Sequence, residues 1–395
     1  MMKRRFLAAL CLTLLSVLGA GAAAHAEDWP EGISMYAINV GKADAILLHA
    51  GEDTYLVDTG RDRTWGAVRY ALDLFEVKTL RGVIVTHTDK DHIGGVPLLA
   101  DSDIQVDHWY TSAFFADVKE KKHPVVVAAK SRGQEAEFLQ GGMELPFGDY
   151  QLKVLGPLEY NDKENCNSVV LEVTGEGGSI LLAGDMEFPE EQTLLDAGIL
   201  SPVTVLKVGN HGESDATGEA LIQRIQPQLA VISTNTEEEK DTPAKRVLKL
   251  LKSIGATVGV TQYAEGGVMV NLYEQEATMQ YVSYPDLPER QQVEIAEKDA
   301  KQDTLLIRNL SDTEVDLGGW YLVSDKGGEM FFFEEGTVIP AEGALRMVCL
   351  DTDTGRLPQE EAIIIQWDEK KVIHPSKDDL FYLYDAFGRQ IDTAE

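Results

Sequence analysis

Four potential metal ligands fall within six residues of one another. They are His87, Asp89, Asp91 and His92, in the run Thr86-His87-Thr88-Asp89-Lys90-Asp91-His92-Ile93-Gly94-Gly95. Imidazole and carboxylate together suit zinc or manganese, and a high carboxylate share tilts the choice toward the harder ion. Asp, Thr and Gly are ordinary turn residues, so a solvated turn is the plain alternative. Two His and two Asp in one turn exceed what solvation needs. Further candidates lie at a distance: Asp58 in Asp58-Thr59-Gly60, Asp185 after Gly184, and His211 in Gly209-Asn210-His211-Gly212. Lys207, in the run that delivers His211, either reaches a phosphate or caps a sheet edge. His49, His108, His123 and His374 are isolated and read as structural or exposed. Cys166, between Asn165 and Asn167, reads as a small buried residue.

Each of these candidates follows a short apolar run that must place it. Leu80 to Val85 is β-branched, short and closed by the polar motif, as a buried strand should be. Ile33 to Val40, Ala45 to Ala50, Thr54 to Val57, Gln151 to Leu155, Ser168 to Val173, Ser179 to Ala183, Pro202 to Val208 and Leu229 to Ser233 read the same way. So do Thr257 to Thr261 and Gly267 to Tyr273. Helices are expected around Thr64 to Phe75, where Trp65, Val68, Leu72 and Phe75 recur at helical spacing, and over about Glu219 to Arg224 and Pro243 to Ser253. Gly94-Gly95-Val96-Pro97-Leu98-Leu99 reads as a helix start packed close to the metal loop, since glycine permits close backbone approach. Residues 105–150 are less informative, with an extended piece at Gln105 to Tyr110 and a Lys-rich stretch at Lys119 to Lys122. A sheet sandwich with its loops on one edge would gather Asp58, the motif, Asp185 and His211.

With these pieces in order, the chain from about Ile33 to Tyr273 resembles a metallo-β-lactamase-fold hydrolase of the competence (ComEC-like) subgroup. The matching segments are Asn39 to Ala45, Asp58-Thr59-Gly60, His87 to Gly95, Asn167-Ser168-Val169-Val170, Gly184-Asp185 and Leu206 to Gly212. The resemblance implies a four-layer αββα sandwich with a metal site at one edge. It implies His87 and Asp89 at one metal position, Asp91, His92 and His211 at a second, and Asp185 bridging. Asp58, Asn167 and Lys207 would stand behind these ligands, with Asp58 orienting the metal loop. The cofactor implied is one or two divalent ions, zinc or manganese. Three protein ligands and an open position lower the pKa of bound water toward about 7 and make a hydroxide nucleophile, the chemistry in which Asp91 and His92 would be central. The chain also departs from the family pattern. Asp89 stands where most members have His. Asn167 (or Asn165) and Asn210 occupy positions where further His are usual, and no His precedes Pro243. Fewer imidazoles and more carboxylates favour manganese, or one ion in place of two.

The ends of the chain carry different signals. Lys3, Arg4 and Arg5 precede an apolar run to about Ala24, ending Ala24-His25-Ala26. This is the pattern of a secretory signal peptide over residues 1–26, with an uncleaved anchor as the alternative. An extracytoplasmic protein is expected, with no second stretch long enough to cross a bilayer. Residues 27–283 are assigned to the hydrolase domain and 284–292, with Tyr284-Pro285-Asp286-Leu287-Pro288, to a linker. Residues 293–395 are assigned to a second domain of short alternating strands. There Leu306-Ile307-Arg308-Asn309, Val315 to Leu322, Gly336 to Pro340 and Asp379 to Gly388 resemble a lamin-tail domain. This implies an immunoglobulin-like all-β sandwich that binds a cell-surface or protein partner.

The formal charge is −31, and residues 1–26 carry three basic and no acidic side chains, which leaves −34 without them. Such a chain lacks the cationic surface that non-specific duplex binding requires. The functional expectation is a secreted metal-dependent hydrolase of a phosphoester, a phosphodiesterase or nuclease acting on DNA or nucleotides, with single strands and short nucleotides preferred to duplex. The alternatives are hydrolysis of another ester or lactone, and a degenerate core that serves as a surface-binding protein.

Overall fold

The structure, a computed structural model, describes residues 15–16, 29–116, 118–284, 287–357, 362–373 and 379–394. The expected leader over residues 1–26 and His374 lie outside these, apart from Leu15–Ser16, which pairs in parallel with Ala277–Thr278. Among the described residues no helix is long and apolar enough to cross a membrane.

The first part of the chain builds two large sheets. One has nine strands, with Ile33–Ile38, Ile46–Ala50, Asp53–Val57, Gly82–Val85, Trp109–Ser112 and Ala136–Leu139 running in order to one edge. The other has seven, from Glu144–Phe147 to Thr257–Val260, antiparallel at its start and parallel through Gly178–Leu182, Val205–Lys207, Leu229–Ile232 and Thr257–Val260. Residues alternate across each strand. Ile33, Met35 and Ala37 enter the core between the sheets, whereas Tyr36 and Ile38 face the helices. Both faces are therefore apolar, and these strands lack the polar alternation of a half-exposed sheet. Helices Trp65–Leu74, Val96–Asp101 and Pro124–Ser131 cover the first sheet. Helices Phe188–Asp196, Glu219–Ile225 and Lys245–Ser253 cover the second. The result is the four-layer αββα architecture.

Two helices are not legible from apolar periodicity. Pro124–Ser131 carries the β-branched run Val125-Val126-Val127, which reads as strand. Its start is specified instead by Pro124 in the first turn and by His123, whose side chain accepts from the Val125 amide. Phe188–Asp196 buries Glu190 and Glu191 beside Leu194, so its inner face reads as polar.

The remaining residues form two four-stranded sheets and a two-stranded one around a separate core that includes Leu305, Ile307, Trp320, Leu322, Leu345 and Phe381. The segment Asp316 to Leu322, which its apolar pattern reads as one strand, is divided between Val315–Asp316 and Tyr321–Ser324, because Gly319 turns the chain at φ +76°. This sandwich packs on the four-layer part of the chain. The buried Tyr321 hydroxyl donates to the Arg63 carbonyl at 2.8 Å, Phe387 meets Tyr70 edge-on, and Arg389 lies 3.9 Å from Glu265. The segment expected to be a linker is held down at both ends: Tyr284 meets Tyr70 edge-on, and Arg290 donates to the Gln390 carbonyl.

Candidate metal centre

Strand ends and tight turns bring the candidate ligands to one edge of the sandwich. The strand Gly82–Val85 ends at Thr86, and His87 follows it into the interior, fully buried. His92 sits on the single turn Lys90–Ile93. Asp185 follows the strand Gly178–Leu182, and His211 follows Val205–Lys207. Three residues in these loops hold left-handed backbone: Asp58 at φ 58°, Asn210 at 45° and His211 at 52°. Asp, Asn and His are the non-glycine types that best tolerate this region. An Asn at 210 therefore suits the turn geometry whatever its worth as a ligand, and its side chain donates to Asp215 at 3.3 Å.

Asp185 is the centre of the cluster. Its Oδ2 lies 3.2 Å from His92 Nε2, 3.4 Å from His211 Nε2 and 3.9 Å from His87 Nε2. His211 Nε2 is also 3.6 Å from Asp91 Oδ2, and the facing nitrogens of His92 and His211 are 3.3 Å apart. Ligand atoms of His87, His92 and Asp185 lie close enough together to share an ion, as do those of Asp91, His92 and His211. Asp89 stands apart from these groups, with a half-exposed side chain 3.7 Å from His87 Nε2.

The imidazoles are oriented from behind. Asp58 accepts from the Thr86 amide at 2.7 Å, the Thr86 hydroxyl at 2.8 Å and His92 Nδ1 at 2.8 Å. His211 Nδ1 donates to the Ser233 carbonyl at 2.9 Å. Both rings thus donate from Nδ1 and turn Nε2 inward, the nitrogen that a bound ion would take once its proton has left. Burial opposes charge throughout, yet Asp185 and Asp58 hold His92 well above the ordinary imidazole range. Despite the same opposition, His211 and His92 hold Asp185 well below the carboxylate range.

Several buried polar atoms have no hydrogen-bond partner: His87 Nε2, Asp185 Oδ1 and Asp44 Oδ1. Orphaned buried polar groups cost free energy, and these three belong to the same cluster of imidazoles and carboxylates. A divalent cation would satisfy them, and the donor set of nitrogen and carboxylate oxygen fits one.

Asn167 and Lys207 are both engaged by partners within the fold. Asn167 accepts from the Asn161 amide and donates to the Asn161 and Lys163 carbonyls, so its amide is spent on closing its own loop. Lys207 neither reaches the opening nor caps an edge. Its ammonium is buried and donates to Asp44 Oδ2 at 2.7 Å. Asp44 itself had no assigned task, although it lies in the quoted segment Asn39 to Ala45. It joins Asp185 and His211 in one group and Asp58 and His92 in another. Against burial, Lys207 and the two imidazoles hold its carboxyl below the usual range. Lys207 thus offsets one of several carboxylates crowded into a buried site.

Residues 38–236 match the family model of the metallo-beta-lactamase superfamily. The chain belongs to the metallo-beta-lactamase superfamily. Residues 288–395 match the Lamin Tail Domain. The chain is 31% identical over 235 residues to ComE operon protein 3 of Bacillus subtilis (strain 168), covering 54% of this chain and 30% of that protein. It is 25% identical over 250 residues to Recombination protein 2 of Haemophilus influenzae, covering 62% of this chain and 29% of that one. The chain therefore spans under a third of the length of the curated relatives it matches. Among solved structures, the metallo-beta-lactamase fold protein YhfI from Bacillus subtilis aligns over 60% of this chain and 99% of its own, at 12% identity and a TM-score of 0.44. The superfamily fold is that of a metal-dependent hydrolase and binds divalent ions, and this member has a candidate His/Asp site for them.

Proposed function

We propose that this chain is a metal-dependent phosphodiesterase that acts outside the cytoplasm, on single-stranded nucleic acid or short nucleotides. One observation carries the reading: the Nε2 atoms of His87, His92 and His211 converge on the Asp185 carboxylate, with His87 Nε2 and Asp185 Oδ1 buried and unpartnered. The relative named as a recombination protein supports a phosphodiester as the bond attacked.

His87, His92, His211, Asp91 and Asp185 would hold one or two divalent ions, with Asp44 within reach and Asp89 at the rim. A bound ion supplies Lewis acidity toward a phosphoryl oxygen and acidifies water. The chain's own residues do the remainder. Asp58 and the Ser233 carbonyl fix two imidazoles in the ligating tautomer. Lys207 limits the negative charge of the pocket, and the apolar layers on both sides keep it buried. The high share of carboxylate favours manganese over zinc. A second reading, hydrolysis of an uncharged ester, is favoured by one property: a net charge of −31 repels polyanions at long range.

The test is turnover of bis(p-nitrophenyl) phosphate by purified protein loaded with manganese or zinc, beside the Asp91→Ala/His92→Ala double variant. Metal-dependent cleavage that the double variant lacks is the expected result. Cleavage of p-nitrophenyl acetate but not of the phosphodiester would move the assignment to the second reading. Mass analysis of protein exported by its host should show an N-terminus at Glu27, and retention of residues 1–26 would contradict export with cleavage.

A further inference from the structure

Two cations at the opening of the metal centre are unused by the chemistry above. Lys42 lies in the loop from Asn39 to Asp44, and its ammonium is 2.7 Å from Glu213 Oε1. Glu213 directly follows the His211-Gly212 turn, so this ion pair spans the opening from one sheet's loops to the other's. Arg61 lies in the loop after Asp58, and its Nη2 donates to Asp91 Oδ2 at 3.2 Å. The loops that carry them are tied together by backbone bonds. The Asp44 amide donates to the Asp91 carbonyl at 3.1 Å, and the Gly60 amide donates to the Asp44 carbonyl at 2.7 Å. Both side chains are therefore presented from a rigid frame.

Two features separate these cations from Lys207. They are partly exposed, with side-chain exposures of 17% for Lys42 and 25% for Arg61 against 1% for Lys207. Arg61 also has a spare donor, since its Nε is buried without a hydrogen-bond partner. Lys207 balances a buried carboxylate permanently. Lys42 is held by Glu213 at the edge of the site and Arg61 by the candidate ligand Asp91, and both can exchange those partners for an incoming anion.

We propose that Lys42 and Arg61 form a cationic clamp for the non-bridging oxygens of an anionic ester seated at the metal centre, with Glu213 holding Lys42 in readiness until the anion arrives. This rests on the phosphodiesterase reading and names what makes the site select an anion. A chain at −31 repels phosphate from a distance, but that field is screened beyond about 8–10 Å at physiological salt. Two cations in contact range then decide retention, because charge-assisted bonds to phosphate are short and strong, and Arg offers a fork for two oxygens.

The experiment compares wild type with Lys42→Met, Arg61→Met, Lys42→Arg and Glu213→Gln, each with its metal content measured. Binding of inorganic phosphate to the metal-loaded protein is followed by titration calorimetry. Turnover of bis(p-nitrophenyl) phosphate is followed beside that of p-nitrophenyl acetate. For each Met variant we expect phosphate affinity to fall by about tenfold or more. The phosphodiester-to-acetate ratio of kcat/KM should fall in parallel, mainly through KM. Lys42→Arg should recover most of both, and Glu213→Gln should bind phosphate more tightly than wild type. If the Met variants keep phosphate affinity and the ratio, and lose only stability or metal, the two cations merely tie loops and the clamp is overturned. If wild type cleaves neither ester yet the contrast in phosphate binding persists, the phosphodiesterase reading fails and the clamp stands.

Discussion

At the scale of single residues, Asp58 and Lys207 act through other side chains. Asp58 accepts from three donors, and an Asn there offers one acceptor oxygen in place of a carboxylate. Asp58→Asn should weaken divalent-ion binding by about 10–100-fold, as loss of such an orienting carboxylate does in other metal sites. Competition with a chromogenic chelator measures this, and unchanged affinity would mean that His92 is oriented without Asp58. Lys207→Met leaves the Asp44 carboxylate buried and unpaired, an imbalance that costs about 3–5 kcal/mol. Denaturant unfolding of the metal-free protein should show that loss, and saturating divalent ion should recover part of it, since a ligand that binds only the folded state stabilises it. A gain from the ion larger than the same ion gives wild type is the informative outcome, because only that excess requires the ion to sit within reach of Asp44.

At the scale of elements, the helix Pro124–Ser131 shows how a cap can outweigh propensity. His123 is fully buried, and its ring accepts from the Val125 amide, which requires a neutral imidazole. Burial pushes its pKa down to about 4 despite the nearby Glu164 carboxylate. A folded-state value below the unfolded value of about 6.5 means that acid favours the unfolded chain. The penalty is absent above about pH 6.5 and grows as pH falls toward 4. At pH 4.5 it reaches roughly 2–3 kcal/mol at about 1.4 kcal/mol per unit. His123→Asn keeps a capping acceptor and removes the titration. Urea unfolding at pH 7 and pH 4.5 should show a smaller acid loss in this variant than in wild type. Equal losses would place the acid sensitivity elsewhere, His49 being the other candidate since burial lowers it to about 4 as well.

At the scale of the whole molecule, the lamin-tail sandwich meets the αββα layers through very small residues. A Cβ on Gly388 would overlap the Ala67 amide nitrogen, and Gly388 itself sits at φ +75°. A Cβ on Gly66 would come within 2.8 Å of both the Gly388 Cα and the Tyr321 hydroxyl. Gly388→Ala should therefore loosen this contact and expose the segment around Arg290, whose guanidinium now bonds the Gln390 carbonyl. Limited trypsin digestion should cut after Arg290 faster in the variant than in wild type. An unchanged rate would show that the contact does not protect the segment. Because Tyr321 donates to the Arg63 carbonyl, two residues from Arg61, the same variant is expected to disturb the loop that carries part of the proposed clamp.

The two sheet architectures followed from the family resemblance; local pattern alone determined most strands up to Tyr273 and the motif His87 to Gly95. Each of these depends on residues adjacent in the chain: β-branched runs closed by polar turns, and ligands gathered within one turn. The helix over 124–131 and the break at Gly319 were hidden because a cap and a single backbone angle overrode the apolar pattern. What only the tertiary structure decided is how distant side chains pair. Lys207 could be read as a phosphate ligand until the fold set it against Asp44, 163 positions away. Asn167 could stand behind the metal until its loop consumed its amide. Asp44, Arg61 and Glu213 acquire a place at the site only when loops from both sheets meet at one edge. Charge pairing across that edge depends on distance in space, and separation along the chain does not reveal it.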